Sequence, residues 1–379
     1  MRILLHSHSF HPVVGGVETI AVTLAEQLHK MGHEVTVVTE TPDKAPSSFP
    51  FQVLRCPSVW QKWNLARSVD IIHANGTSLV MVPYAALVGT PFVWTHNGYQ
   101  ASCVDGLGWS ESGPTPMEPW PSIWHYFNEL GPMAGAKLGF KLILRRLVAQ
   151  HFAYNVAATH WVARRQPLPN QQVAYTPYPL GRFAESVSDI EPQYDFIFVG
   201  RLVSEKGIET LIRAMAIVHQ SQALAGTKLA IVGDGLLSTQ LKELVKSLGL
   251  DAWIHFLGTL RGADLSRAIR SAPIGIVPSA YEEPMGGIAL ELLASGRCVI
   301  VSERGGMAEC VGAAGVCFEN GNPLDLADKM IMLVGDEQVR SQCLERAGRQ
   351  LRCFDELNLT QRYVELYQEI VHRHRELHE

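Results

Sequence analysis

The stretch Ile274-Gly275-Ile276-Val277-Pro278-Ser279-Ala280-Tyr281-Glu282-Glu283-Pro284-Met285-Gly286-Gly287-Ile288-Ala289-Leu290-Glu291 decides how this chain is read. Its apolar run Ile274–Val277, closed by a proline, predicts a strand buried on both faces. Gly286 and Gly287 then fall where a helix begins. The N–H groups of a first helical turn have no partner within the helix, and with the positive end of the helix dipole they suit a phosphate. Glu291 lies one turn in, and helical side chains lean back toward the N-terminus, so its carboxylate reaches sugar hydroxyls beside that phosphate. Glu283, on the loop, is expected to enter the same space. The plain alternative is a strand, loop and helix carrying two solvated acids.

The same grammar recurs on both sides. Toward the N-terminus, strands are predicted at 3–6, 35–39, 51–55, 70–73 and 92–96, with helices at 17–31 and near 77–88. It resumes with strands at 196–199, 228–232, 254–257 and 298–301, helices at 205–219 and 238–247, and a last amphipathic helix over 358–375. Short apolar strands alternating with helices predict parallel sheets covered on both faces, in two doubly wound halves joined near 180–194. Ligands of such sheets bind at the carboxyl ends of the strands, here in an expected central cleft. Residues 97–136, rich in Gly, Pro, Ser and Trp (Trp109, Trp120, Trp124), break the rhythm and read as a long irregular loop, either functional or disordered.

Composition agrees with a two-domain globular protein. The chain has 379 residues, 47% hydrophobic and 18% charged, with ample material for cores. A net charge of −5 gives no sign of a nucleic-acid binder. The seven cysteines are odd in number, irregularly spaced and without C-x-x-C, so they read as core thiols of a reducing compartment. The charge-free run from Ile71 to Val104 is cut by Asn75-Gly76, Pro83, Gly89 and Pro91, and reads as buried α/β core. The opening apolar run Ile3–Leu5 is too short for a signal peptide, and a cytoplasmic location is expected.

Three further groups carry chemistry. In Gly200-Arg201-Leu202-Val203-Ser204-Glu205-Lys206-Gly207, Arg201 and Lys206 straddle a strand-to-helix turn and are expected to converge on one anion, such as a pyrophosphate. Gly233-Asp234-Gly235 follows the next strand; a tight turn explains it nearly as well. Gly15-Gly16 opens the first helix but is not the G-x-G-x-x-G dinucleotide fingerprint, which disfavours a nicotinamide enzyme. His96 ends a strand. Its place suggests one rim shared with His6, His8, His11 and His73, yet no carboxylate or cysteine joins them at ligand spacing, and no metal site is expected.

These residues resemble a known family. Gly15-Gly16-Val17-Glu18, Gly32-His33-Glu34-Val35, His96, Gly200–Gly207, Gly233-Asp234-Gly235, the E-x7-E pair Glu283/Glu291 and Arg304–Glu309 are similar to the retaining, nucleotide-sugar-dependent glycosyltransferases of family 4. The resemblance implies a GT-B fold: an acceptor-side Rossmann-like domain over 1–182, a donor-binding domain over 183–357, and a final helix, 358–379, crossing back to the first. It implies Arg201 and Lys206 on the phosphates, Glu291 on the ribose, and Glu283, Gly286 and Gly287 on the transferred sugar and pyrophosphate. Gly233 joins the donor-binding set, His96 contacts the donor sugar, and Gly15 and Gly16 lie near the phosphates and acceptor. The co-substrate is a UDP- or GDP-linked sugar, with no metal or other cofactor. The chain departs from the family at Thr176–Phe183, where Asn-Gly-Val-Asp is usual, and at Met285, usually Phe.

The expected activity is transfer of a sugar to a glycan or lipid-linked acceptor in surface polysaccharide or glycolipid synthesis. The alternatives are a nucleotide-sugar epimerase of the same fold and a non-catalytic sugar-nucleotide-binding subunit. No acidic residue lies between Leu130 and Ala184, and Lys137, Lys141 and Arg145 recur every fourth residue. Residues 137–148 are therefore either a basic stripe resting on an anionic membrane, which would make the protein peripheral at the inner face, or a core helix with one solvated stripe.

Overall fold

The computed structural model describes residues 1–13, 15–42, 49–184, 190–221 and 224–376, so residues 185–189 of the expected junction lie outside it. The chain opens with β1 (Arg2–Ser7), α1 (Gly16–Lys30), β2 (Glu34–Thr39), β3 (Gln52–Arg55), α2 (Val59–Ser68), β4 (Ile71–Asn75), α3 (Val82–Val88) and β5 (Phe92–His96). A small hairpin, β6 (Trp109–Ser110) and β7 (Gly113–Pro114), precedes α4 (Pro119–Leu130), α5 (Pro132–His151), β8 (Tyr154–Ala157), α6 (His160–Arg165) and β9 (Gln172–Val173). There follow α7 (Gly181–Ala184), β10 (Phe196–Val199), α8 (Ile208–Gln220), β11 (Leu229–Val232), α9 (Ser238–Ser247), β12 (Ile254–Gly258), α10 (Gly262–Arg270) and β13 (Ile274–Val277). The last elements are α11 (Gly287–Ala294), β14 (Cys298–Ser302), α12 (Met307–Val311), β15 (Gly315–Phe318), α13 (Pro323–Gly335), α14 (Glu337–Arg352) and α15 (Glu356–Glu376).

Two compact units result. The first comprises Met1–Leu107, Pro116–Pro179 and Phe354–Glu379, the second Gly108–Thr115 and Leu180–Cys353. The β6–β7 hairpin thus falls inside the range 1–182 expected as one domain but groups with the second unit, where Trp109 Nε1 donates to Ser204 Oγ at 3.1 Å. The first unit's sheet runs β3-β2-β1-β4-β5-β8-β9 and the second's β12-β11-β10-β13-β14-β15. Every recorded pairing within these two sheets is parallel. Strand order reverses at β1/β4 in one and at β10/β13 in the other, the places where such sheets bind ligands.

Side-chain alternation builds a layer on each face of each sheet. In β10, Phe196 and Phe198 pack with Leu211, Met215 and Met330, whereas Ile197 packs with Leu292 and Val311. In β1, Ile3 and Leu5 pack with Leu24, Tyr363 and Tyr367, and Leu4 with Ala66, Ala85 and Trp94. Full burial of such a side chain contributes about 1.5–3 kcal/mol each. Helix α15 belongs to the first unit: Tyr367 OH and His73 Nδ1 are 2.6 Å apart, and Gln27 Nε2 donates to Glu356 Oε1 at 2.9 Å.

The segment 97–136 is not the irregular loop expected. It contains α4, whose Trp120, Ile123, Trp124 and Phe127 fall at helical spacing behind Pro119 in the first turn. Proline and aromatic density mask that period in the sequence. The helix expected over 205–219 is also divided, because Gly207 (φ +65°) separates a 3-10 turn, Ser204–Lys206, from α8.

Burial in the first unit pushes the pKa of His6 and His73 down to about 3 and that of His96 down to about 4. Unfolded, these rings titrate near 6.5, so below that pH the unfolded chain binds protons that the folded chain excludes. Their contribution is complete above this value and is lost as pH falls, at about 1.4 kcal/mol per pH unit for each ring and roughly 4 for the three. Urea unfolding of the intact chain at several pH values between about 7.5 and 5 should show this steep loss; a flat profile would mean that the rings are open to protons in the folded state.

Candidate active site

At the second unit's switch point three strand-end loops lie backbone against backbone. A Cβ on Gly207 would sit 1.9 Å from the Pro278 carbonyl oxygen, and one on Gly233 (φ +134°) 1.8 Å from that of Gly200. Leu202 N donates to Asp234 O at 3.0 Å and Ala280 N to Glu205 O at 2.9 Å. Gly233-Asp234-Gly235 is therefore more than a turn, since only glycine permits the approach that fixes the Arg201 loop.

That stacking brings Lys206 to Glu283. Lys206 Nζ donates to Glu283 Oε1 at 2.7 Å, and the two side chains are only 17% and 11% exposed. Ser279 Oγ donates to the other carboxylate oxygen at 2.5 Å, and the ammonium lies 5.5 Å from the centre of the Tyr281 ring. The Glu283 backbone is pinned as well: Gly306 N donates to its carbonyl at 2.7 Å, beside a bridge to Gly305. Asn320 Nδ2 reaches the carbonyls of Ser279, Tyr281 and Arg304.

Arg201 and Lys206 do not converge on one point as expected. Arg201 reaches out to Glu205 at 3.0 Å with its own side chain 71% exposed, whereas Lys206 turns inward to Glu283. An exposed i,i+4 pair is worth only about 0.3–0.5 kcal/mol, so Glu205 holds Arg201 only weakly.

The helix N-terminus also differs in detail. Gly286 N donates to Cys310 Sγ at 3.3 Å, and burial pushes that thiol's pKa up to about 12, keeping it neutral. The Gly286 amide is thus engaged by sulfur rather than held open for a phosphate. Gly287, the first residue of α11, begins the run of N–H groups without an intrahelical acceptor. Glu291 follows one turn later and is half-buried.

In the first unit, Gly15 caps α1 and Gly16 begins it, between the ends of β1 and β4. Asn75 Nδ2, at the end of β4, donates to Val17 O at 3.1 Å and holds this turn. His96 is fully buried at the end of β5, its Nε2 2.9 Å from Asn155 Oδ1. Because Asn155 Nδ2 donates to the carbonyls of Ala149 and Pro169, its oxygen faces the ring and Nε2 carries the proton. Nδ1 is then a bare acceptor, without a partner among the described residues. His73 is not on a rim: it is enclosed between Thr95 and Tyr367. Among the described residues no three His, Cys, Asp or Glu side chains form a metal cluster.

Sequence reasoning missed Ser279, Tyr281 and Asn320. The first two lie inside the decisive stretch as unremarked neighbours of Glu283, and Asn320 reaches it only through the β15–α13 connection.

Comparison with known proteins identifies the family. A family described as Glycosyltransferase Family 4 matches residues 14–166, and Glycosyl transferases group 1 matches residues 183–350. The chain belongs to glycosyltransferase family 4. A D-inositol 3-phosphate glycosyltransferase of Salinispora tropica is 33% identical over 49% of this chain and 40% of its own length. The chain thus spans less than half of that relative in the match. A sulfoquinovosyl transferase of Arabidopsis thaliana is 26% identical over 89% of this chain and 67% of the plant protein. The structure of Anabaena HepE, determined in complex with UDP, superposes with a TM-score of 0.73 at 21% identity, covering 97% of this chain and 100% of HepE. The family 4 chain has the GT-B fold, two Rossmann-like units in one polypeptide.

The loop stacking and the ion pair make separate predictions. Gly233→Ala and Gly207→Ala should each destabilise by about 2 kcal/mol or more, since backbone must move in both. Thermal unfolding checks this, and a change within experimental error would contradict the close approach. Lys206→Met should cost about 3–5 kcal/mol by stranding a buried carboxylate, and Lys206→Met with Glu283→Gln should recover most of that loss. A double variant no more stable than Lys206→Met alone would show that the pair is not an isolated electrostatic unit.

Proposed function

We propose that this chain is a retaining glycosyltransferase that moves a sugar from a UDP- or GDP-linked donor to a glycan or lipid-linked acceptor, in surface polysaccharide or glycolipid synthesis. The observation that carries the reading is the desolvated Lys206–Glu283 pair at the β10/β13 switch point, beside the start of α11. An ammonium and a carboxylate held together with little water exchange partners readily for a ligand that offers both an anion and hydroxyls. A sugar diphosphate is such a ligand: Lys206 passes to the phosphate and Glu283 accepts from sugar hydroxyls.

The chemistry follows from where charge develops. Departure of the diphosphate builds negative charge on its oxygens, and Arg201, Lys206 and the first amides of α11 stabilise it there. Glu291 fixes the ribose, and Gly233 holds the Arg201 loop at its working distance. In the first unit, His96 is neutral with Nδ1 bare, suited to accept a hydrogen bond from a sugar hydroxyl, and the Gly15–Gly16 turn is the candidate acceptor-side loop. The acceptor hydroxyl attacks from the leaving-group side, so the anomeric configuration is retained and the departing phosphate takes the proton. The family relatives support this reading through their names, and HepE through its bound UDP.

A panel of nucleotide sugars without acceptor provides the test. The cognate donor should raise the melting temperature and be slowly hydrolysed, with stabilisation of about 2.7 kcal/mol at a hundredfold excess over Kd. Both effects should disappear in Glu291→Ala and Arg201→Ala. If no donor shifts the melting curve, the reading fails.

A further inference from the structure

Helices α4 and α5 form an antiparallel hairpin joined at Gly131, closely packed because glycines face large residues. A Cβ on Gly135 would sit 2.3 Å from Phe127 Cα, and one on Gly139 2.9 Å from an Ile123 methyl carbon. This register sets the Trp120–Trp124 end of α4 beside the part of α5 that follows Gly139. The outer face so formed is apolar: Trp120 is 72%, Met133 89% and Phe140 68% exposed, and Trp124, Ile143, Leu144 and Leu147 are exposed as well. Exposed large apolar side chains gathered on one helical hairpin mark an interaction surface.

The charge on this face is all of one sign along α5. Lys137 and Lys141 are exposed beside Met133, Phe140 and Leu144, and neither has an ion-pair partner among the described residues. The acids at the ends of α4 are engaged elsewhere, Glu118 with Arg165 at 3.9 Å and Glu129 with His125 at 3.1 Å. The every-fourth-residue stripe read from the sequence changes in one respect: Arg145 is buried, and the neighbouring Arg146 turns inward to the Ala101 carbonyl. The basic element is two lysines on the flank of an apolar face. Among the described residues no helix is long and apolar enough to cross a membrane, so this pattern suits lying on a bilayer.

We propose that the outer face of the α4–α5 hairpin docks on an anionic lipid bilayer, with Trp120, Trp124, Phe140, Leu144 and Leu147 entering the headgroup–acyl boundary and Lys137 and Lys141 meeting lipid phosphates. Tryptophans favour that boundary because one edge of the ring is apolar and the other donates a hydrogen bond. Its value for delivering a lipid-linked acceptor rests on the transfer reaction proposed above; the docking itself does not.

The test is sedimentation of the full chain with vesicles of phosphatidylcholine alone and of phosphatidylcholine with phosphatidylglycerol. The chain should sediment with the anionic vesicles, less so as salt rises, and brominated lipid should quench its tryptophan fluorescence. Lys137→Gln with Lys141→Gln should weaken partitioning about 30-fold, a factor of roughly five per lysine. Phe140→Ser with Leu144→Ser, both on the exposed face, should abolish binding while leaving the circular dichroism unchanged. Absence of binding to anionic vesicles, or binding indifferent to both double variants, overturns the proposal. Concentration-dependent self-association removed by Phe140→Ser with Leu144→Ser, without vesicle binding, overturns it in favour of a second copy on this face. Donor-induced thermal shifts measured on the same samples separate the two readings, since they report the donor site and not the hairpin.

Discussion

The second unit depends on three loops touching through their backbones. Parallel strands β10, β11 and β13 end at the same edge of the sheet, and each chain must turn there before entering its helix. Side chains at the turns would force the loops apart. Glycine at 207 and 233 lets the carbonyls of Pro278 and Gly200 come within contact distance of the neighbouring loop. The position of Lys206 beside Glu283 is a consequence of that approach, as is the placement of Arg201 at the rim. The two cations serve different roles because the same turn directs one inward and one outward.

The environment of Glu283 shows how such a group is held while shielded. One carboxylate oxygen takes the ammonium, the other takes the Ser279 hydroxyl, and the main chain is held by Gly306 and, through neighbouring carbonyls, by Asn320. A buried ion pair contributes little net stability when both partners are present, because desolvation offsets the attraction. Here the two groups orient each other, Glu283 is held further by Ser279, and Lys206 lies by the Tyr281 ring.

The first unit uses buried rings in a different way. His73 accepts and donates within a closed set formed by Thr95 and Tyr367, so α15, which is distant in sequence, is fixed to the middle of the sheet. His96 keeps one nitrogen bonded to Asn155 and leaves the other bare. Burial holds both rings neutral, which suits His96 to accepting a hydrogen bond rather than donating a proton.

The alternation of short apolar runs with amphipathic helices specified two parallel sheets, because period and length report burial directly. The paired glycines at 286 and 287 likewise marked the start of helix α11 after the strand, for the same local reason. Other features were illegible because they depend on what packs from elsewhere. The sequence could not show that Cys310 would engage the Gly286 amide, that Arg201 and Lys206 would part to separate carboxylates, or that Arg145 would leave the basic stripe for the interior. Helix α4 was hidden by its prolines and tryptophans until its partner α5 supplied glycines to receive it. Local periodicity is written in consecutive residues, whereas the direction a long side chain takes is decided by whichever charge, ring or cavity the tertiary fold sets beside it.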